Sequence, residues 1–167
     1  MAKLTWYSNE VPNELTTRQV YGVIFTTDGR LLLKVETKAN GKTVYSLAGG
    51  TPEDYDVDRI ATLKRELLEE INVTIQEPVY VGYQLVEDDN GKAPYAQVRM
   101  TAMINNIGPS QPDPDTNEIY QRLLTSPSRA IELLNWGTIG ETIINNALKT
   151  AKNEFNLNTY SNSEEYI

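Results

Sequence analysis

The chain alternates short apolar stretches bounded by turn residues with longer stretches whose apolar positions follow a helical period. Stretches rich in β-branched, leucine and tyrosine residues, with Asp28-Gly29 and Asn40-Gly41 as turns, predict β-strands. The predicted strands cover residues 18–27, 31–37, 43–47, 79–86 and 95–105, with another beginning at 73–75. Residues 108–117 are rich in Pro, Asp and Asn and are interpreted as an irregular loop.

Three helices are predicted between and after these strands. Apolar residues at helical spacing predict helices over about 57–71 and 139–155. Ser126-Pro127 predicts the start of a further helix that ends near Leu134, because serine caps a helix and proline suits its first turn. Residues 156–167 are polar and are expected to fray. Strands interleaved with helices in this order favour an α/β sandwich, with the strand order left open.

The helix at 57–71 carries a cluster of acids. Glu66, Glu69 and Glu70 stand at i, i+3 and i+4, so at ~100° per residue they share one sector of the helix surface. The opposite face is apolar apart from one lysine and comprises Ile60, Lys64, Leu67, Leu68 and Ile71. Arg65 can reach Glu69 at i+4. Clustered carboxylates suit Mg²⁺ or Mn²⁺, although a merely solvated acidic face is the common alternative.

Composition narrows the chemistry. The 167 residues fit one domain, 1–167, and include neither cysteine nor histidine. This excludes thiolate nucleophiles, sulfur-bound zinc and imidazole bases, and it leaves carboxylates as the natural reactive groups. A formal net charge of −8 argues against partners such as nucleic acid or an anionic membrane. Without a long apolar run or a signal-peptide core, a cytoplasmic location is expected.

A known signature covers the acidic helix and the glycine turn before it. The stretch from Gly50 to Val73 resembles the signature of the Nudix (MutT-like) hydrolases, G-x5-E-x7-R-E-U-x-E-E-x-G-U, with U an aliphatic residue. The residues that fall on the pattern are Gly50, Arg65, Glu66, Leu67, Glu69, Glu70 and Val73. The resemblance implies an α/β/α sandwich with a mixed β-sheet between helices. It also implies hydrolysis of a phosphoanhydride bond in a nucleoside diphosphate linked to another group, and a homodimer is common in the family.

The resemblance assigns roles to several residues. Glu66, Glu69 and Glu70 are expected to hold Mg²⁺ or Mn²⁺, and one of them is expected to accept a proton from water. Arg65 is expected to orient these carboxylates. Gly49 and Gly50 are expected to shape the loop beside the substrate.

The chain departs from the signature at three places. The segment from Gly50 to Arg65 is one residue longer, so the position of the first glutamate falls on Asp56 or on Val57. Asp56 then either takes the role of that glutamate or caps the helix, as Asp58 equally could. Asn72 replaces a glycine and is expected to adopt the left-handed conformation that ends the helix. Ala48 replaces a proline of the family.

Two residues outside the signature are further candidates. Glu118 follows the Pro/Asp loop, where the family often places an additional acid as ligand or general base; a solvated or capping role is the alternative. Arg99 alternates with apolar residues on a predicted strand, where it either binds a phosphate or the other half of the ligand, or forms an internal ion pair.

Three functions therefore compete. A metal-dependent hydrolase of a small-molecule nucleotide derivative is the leading hypothesis. A Nudix-like domain that binds such a molecule without cleaving it is the second, and it is kept open by the altered loop around Asp56. An acidic interaction domain with a solvated helix is the third, and it predicts no high-affinity site for a divalent cation.

Overall fold

The observed strands include the predicted ones and four that the pattern does not indicate. The structure is a computed structural model that describes all 167 residues. Its strands are β1 Lys3–Tyr7, β2 Thr16–Phe25, β3 Leu31–Thr37, β4 Thr43–Ser46, β5 Ala48–Gly50, β6 Val73–Ile75, β7 Val79–Glu87, β8 Tyr95–Ile107, β9 Gln121–Thr125 and β10 Glu165–Tyr166. The unexpected strands are β1, β5, β9 and β10.

The strands form a mixed sheet with the order β1-β7-β8-β2-β3-β9-β10. β4, β5 and β6 lie off this path and pair with β3, β2 and β8 respectively. Only β2 and β8 run parallel to each other; the other pairs are antiparallel.

The three helices are α1 Arg59–Ile71, α2 Pro127–Leu134 and α3 Thr138–Phe155. Asp58 caps α1 by accepting a hydrogen bond from the Ala61 amide, and Asn72 ends the helix at φ 51°. The left-handed stop predicted at Asn72 is therefore confirmed. α2 begins as predicted, with the Ser126 side chain accepting from the Arg129 amide and Pro127 in the first turn.

Helices cover both faces of the sheet. α1 packs on one face through Leu63, Leu67 and Ile71. α2 and α3 pack on the other face through a second apolar cluster that includes Ala130, Leu134, Ile144, Ala147 and Ala151. The α/β/α sandwich is thus confirmed. One detail of the predicted apolar face is wrong: Leu68 is 46% exposed, and Leu63 is buried instead.

The sheet opens between β2 and β3. These strands pair only at Phe25 and Leu31. Further along, β2 pairs with the short β5, whereas β3 pairs with β4 and β9. The divergence leaves space beside Tyr21 and Lys34, which lie on the two separating strands and line one cavity.

The end of the chain returns to the sheet rather than fraying along its whole length. Glu165 and Tyr166 pair with β9, and the Ile167 amide donates to the Arg122 carbonyl. The Arg122 guanidinium donates to the Ile167 carbonyl at 3.1 and 3.2 Å and to the Ile71 carbonyl, the last of α1, at 2.9 Å. This side chain ties the end of α1 to β10.

Candidate active site

Three side chains of α1 reach β5 and the loop that follows it. The Glu66 carboxyl lies against Gly50, where a Cβ atom would come within 2.6 Å of both carboxyl oxygens. Glu70 accepts a hydrogen bond of 2.9 Å from the Gly49 amide. Arg65 donates to the Thr51 carbonyl at 3.0 Å. The close approach at Gly50 leaves no room for a side chain there.

Arg65 joins the acids of the cluster. Its Nη1 donates to Glu66 at 3.0 Å and to Glu69 at 3.1 Å, so the contact expected at i+4 is present. Its Nε and Nη2 donate to the two oxygens of Asp56 at 3.0 and 2.9 Å. One guanidinium therefore fixes three carboxylates, the geometry for which arginine is suited.

Asp56 is the main partner of Arg65 and not the cap of α1. Besides the arginine, its carboxylate accepts from the Thr62 hydroxyl and the Glu53 amide, both at 2.9 Å. The hydrogen bonds from Arg65 hold the pKa of Asp56 well below its usual range, against the opposing effect of desolvation. The capping alternative is wrong for Asp56, because Asp58 supplies the cap.

Glu70 is the most buried acid of the cluster and has a cationic partner that the pattern did not indicate. Lys34 of β3 lies 2.5 Å from its carboxylate, and the lysine also lies over the Tyr120 ring at 4.6 Å from the centroid. Burial raises the pKa of Glu70, while Lys34 and the Gly49 amide oppose the shift. Burial alone would lower the pKa of Lys34, but Glu70 outweighs it and the net shift is upward. The direct contact between the ammonium and the carboxylate favours the ionised pair.

Glu66 has the pKa best suited to proton transfer near neutral pH. Burial raises the pKa of this carboxyl to about 7, and the charges of Glu70 and Glu69 add to the effect although Arg65 opposes it. A carboxyl with a pKa near the working pH can both take up and release a proton.

The donors suit a hard divalent cation, although they are not gathered around a common point. No three acidic side chains converge closely enough to hold a metal ion as they stand. Oxygen ligands of the preferred type are present, with Glu66 and Glu70 both at β5. Arg65 contacts one oxygen of Glu66 and one of Glu69 and leaves the other oxygen of each carboxylate free. Both oxygens of Glu70 are engaged, by Lys34 and by the Gly49 amide, so ligation by Glu70 requires Lys34 to move aside. Because the available donors are carboxylate oxygens, their chemistry fits Mg²⁺ or Mn²⁺.

Arg99 lies on β8, which pairs with β2 on the side away from β3. It lines a cavity of about 380 Å³ together with Tyr21, Lys34, Ser46, Leu47, Gln84, Gln97, Trp136, Ile139 and Leu4. Arg99 is only 3% exposed and forms no salt bridge, so the internal ion pair considered for it is absent.

The sequence belongs to a recognised family over most of its length. It matches the family model described as NUDIX domain over residues 15–137. The chain belongs to the Nudix family. This match includes β2 to β9, α1 and α2. Nudix hydrolases generally use divalent metals and act on small nucleotide derivatives.

Solved structures share the fold at low sequence identity. A pyrophosphohydrolase of Bacillus subtilis, BsRppH, superimposes with a TM-score of 0.67 at 16% identity, covering 93% of each chain. A MutT protein of Bacillus halodurans gives a TM-score of 0.58 at 20% identity, covering 78% of this chain and 81% of its own. A Nudix hydrolase of Nitrosomonas europaea gives 0.60 at 16% identity, covering 78% and 87% respectively. A search of curated proteins found no match. At these identities the neighbours support the Nudix fold alone.

The Nudix signature is accommodated in the structure despite its extra residue. The longer loop brings Asp56 to Arg65, and Asn72 takes the left-handed conformation that the family's glycine would take. Asn72 also donates to the Pro109 carbonyl at 2.9 Å, a contact that glycine does not offer. None of the three helices of this Nudix fold combines the length and apolar character needed to cross a bilayer.

The loop before β9 contains two acids in different surroundings. Glu118 is exposed and lines a shallow groove with Val35, Glu36, Thr37, Ile119 and Gln121. Its neighbourhood leads into β9 and not into a helix. Asp113, which the sequence reasoning missed, is 6% exposed, and its charge raises the pKa of Glu70. A helix-breaking Pro-Asp-Pro context was its only signal in the sequence.

Proposed function

We propose that the protein is a divalent-metal-dependent Nudix hydrolase that cleaves a phosphoanhydride bond in a nucleoside diphosphate linked to another group. The observation that carries this proposal is the row of acids on one side of α1: Arg65 joins Glu66 and Glu69, and Glu70 pairs with Lys34 beside the strand β5. Lys34 also lines the neighbouring cavity. Membership of the Nudix family supports hydrolysis of this general kind.

Glu66, Glu69 and Glu70 would hold Mg²⁺ or Mn²⁺. A bound cation of this kind offsets phosphate charge and lowers the pKa of water. Arg65 keeps Glu66 and Glu69 in place through Nη1. One of these acids would accept the proton of the water, and in the metal-free protein Glu66 is the one whose pKa, about 7, lies nearest neutrality.

The loop acids and the glycines complete the proposed site. Glu118, the exposed acid before β9, is the alternative proton acceptor, and the buried Asp113 of the same loop accepts a hydrogen bond from the Asp115 amide at 2.8 Å. Gly49 and Gly50 would shape the loop beside the substrate, because they let Tyr21 and the Glu66 carboxyl pack directly against the backbone of β5. Arg99 would contact the substrate from the cavity.

The second candidate function is a sensor that binds a nucleotide derivative without cleaving it. It is favoured by the ion pair between Lys34 and Glu70, because this pair must break before Glu70 can bind a metal.

The experiment that tests the proposal is a screen of phosphate release and product formation over a nucleotide panel with Mg²⁺ and then Mn²⁺. The panel comprises ADP-ribose, nucleotide sugars, dinucleoside polyphosphates, and canonical and oxidised nucleoside triphosphates. We expect metal-dependent cleavage that Glu69→Gln or Glu70→Gln lowers at least ~100-fold in a folded protein. Unchanged turnover in both variants would refute the site. Binding of a nucleotide without cleavage would instead support the sensor.

A further inference from the structure

Arg99 is a buried cation without an anionic partner. Its guanidinium makes a single hydrogen bond, from Nη1 to the Gln97 carbonyl at 3.3 Å. Its Nε is buried and donates to no acceptor. Burial lowers the pKa of Arg99 to about 10, which still leaves it charged at neutral pH. A buried charge without a counter-ion is costly, so its presence in a fold core requires a reason.

Aromatic rings lie near the guanidinium of Arg99, but they provide no acceptor for the N–H groups in its plane. The Tyr21 ring lies 4.8 Å from Arg99 Cζ, and the Trp136 ring lies 5.7 Å away. Contacts of this type partly offset the charge, and they leave the N–H groups in the guanidinium plane available. A bidentate acceptor such as a carboxylate or a phosphate matches that plane.

Lys34 lies between the cavity beside Arg99 and the carboxylate cluster of α1. Lys34 lines the cavity and at the same time pairs with Glu70. Tyr21, under the guanidinium, adjoins Gly49, since a Cβ there would lie 2.8 Å from Tyr21 Cδ1. The Gly49 amide in turn donates to Glu70. A ligand that displaces the Lys34 ammonium from Glu70 would extend from the acids of α1 to Arg99 through the opening between β2 and β3.

We propose that Arg99 binds an anionic group, a phosphate or a carboxylate, carried by the part of the substrate that extends away from the scissile anhydride. The assignment of this anion to the substrate rests on the proposed function; the anion site itself does not. The volume of about 380 Å³ exceeds what an anion alone requires, since one water takes ~30 Å³, and it leaves room for the linking group. The site narrows the substrate class to nucleoside diphosphates whose second group bears a negative charge.

Tryptophan fluorescence offers a test that does not depend on turnover. The chain has two tryptophans, and Trp136 lines the cavity. In a Trp6→Phe background Trp136 is the only reporter, and the substitution breaks no hydrogen bond because Trp6 Nε1 has no acceptor. The protein is titrated in EDTA with inorganic phosphate and, separately, with benzoate. Without a divalent cation, the acids of α1 repel both anions.

We expect a saturable change in Trp136 emission with at least one of these anions, and the anion that binds names the group. Arg99→Gln should weaken this binding at least ~10-fold, Arg99→Lys should weaken it less, and Arg129→Gln, which alters an exposed arginine of α2, should leave it unchanged. Binding of neither anion overturns the proposal, and so does equal binding by Arg99→Gln.

A second variant separates a binding role from a structural one. Arg99→Met removes the uncompensated charge at similar volume, so its metal-free melting temperature should equal or exceed that of the parent. A loss of more than about 5 °C would mean that Arg99 supports the fold and would overturn the proposal. If anions bind while no nucleotide is cleaved, the anion site stands and the hydrolase function fails. If nucleotides are cleaved while neither anion binds, the hydrolase function stands and the anion site fails.

Discussion

Replacing Asp56 by Asn tests whether the longer loop exists to hold Arg65. The substitution keeps the shape of the side chain and removes its charge. It weakens the two hydrogen bonds from Arg65, at 3.0 and 2.9 Å, and turns one acceptor oxygen into a donor. The Thr62 hydroxyl and the Glu53 amide, which both donate to Oδ2 of Asp56, then compete with Arg65 for the single remaining acceptor oxygen.

We expect the loss of stability caused by Asp56→Asn to lie between the value for breaking an exposed ion pair and the value for breaking a buried one. The Asp56 side chain is 5% exposed and that of Arg65 is 16% exposed, which favours the buried value of ~3–5 kcal/mol. The neighbouring residues of the loop are nevertheless exposed, so solvent near the pair weakens the attraction toward the value of an exposed ion pair, ~0.5 kcal/mol. We therefore expect Asp56→Asn to lower the free energy of unfolding by about 2 kcal/mol, or Tm by about 4–8 °C.

The assay is thermal unfolding at neutral pH, followed by the rate of nucleotide cleavage. Asp54→Asn is the matched control, because Asp54 is an exposed acid of the same loop. Turnover of Asp56→Asn should also fall, since Arg65 loses the anchor that positions Glu66 and Glu69. The pKa of Asp56 is lowered in the folded state, so the stabilisation is present above pH ~4 and is lost as the pH falls below it. Equal Tm values for the two variants would refute the reasoning.

Three further predictions concern the same region. Gly50→Ala should fold but lose at least ~10-fold in turnover, because a Cβ within 2.6 Å of the Glu66 oxygens displaces that carboxyl; unchanged turnover would contradict this. The metal-free protein should lose about 1–2 kcal/mol of stability from Glu66 as the pH rises from 4.5 to about 7. The pKa of this acid is raised on folding, so the folded state binds the extra proton; Glu66→Gln should abolish that slope in pH-dependent unfolding. Arg122→Gln should lower Tm by about 6–12 °C, because three backbone carbonyls lose a charged donor, whereas Arg129→Gln should change it little.

Local features of the fold were predictable from the sequence, and long-range ones were not. Asp58 and Asn72 lie next to the ends of α1, and Ser126-Pro127 begins α2, so their roles follow from positions a few residues apart. β9 ends at Thr125 and β10 begins only at Glu165, so their pairing is long-range, and β10 is short and exposed. No periodicity marks such a strand, because its pairing depends on where the rest of the sheet ends.

The same distinction divides the candidate site. The contact of Arg65 with Glu69 is set by helix geometry and was predicted from their spacing. The pairing of Lys34 with Glu70 spans 36 residues and depends on β3 passing beside α1, which the strand order decides. Asp113 escaped notice for a similar reason, since its burial depends on how a long loop folds back. Arg99 was a candidate from the sequence, and only the structure showed that it has no acid beside it.

The most direct test of the account is isothermal titration of the protein with Mn²⁺, in parallel for wild type, Glu70→Gln and Glu132→Gln. Glu132 is an exposed acid of α2 and serves as the control. We predict a saturable site in wild type and in Glu132→Gln that is lost or weakened at least ~10-fold in Glu70→Gln. Identical titrations for all three proteins, or no binding in any of them, would contradict a metal-dependent function for the acids of α1.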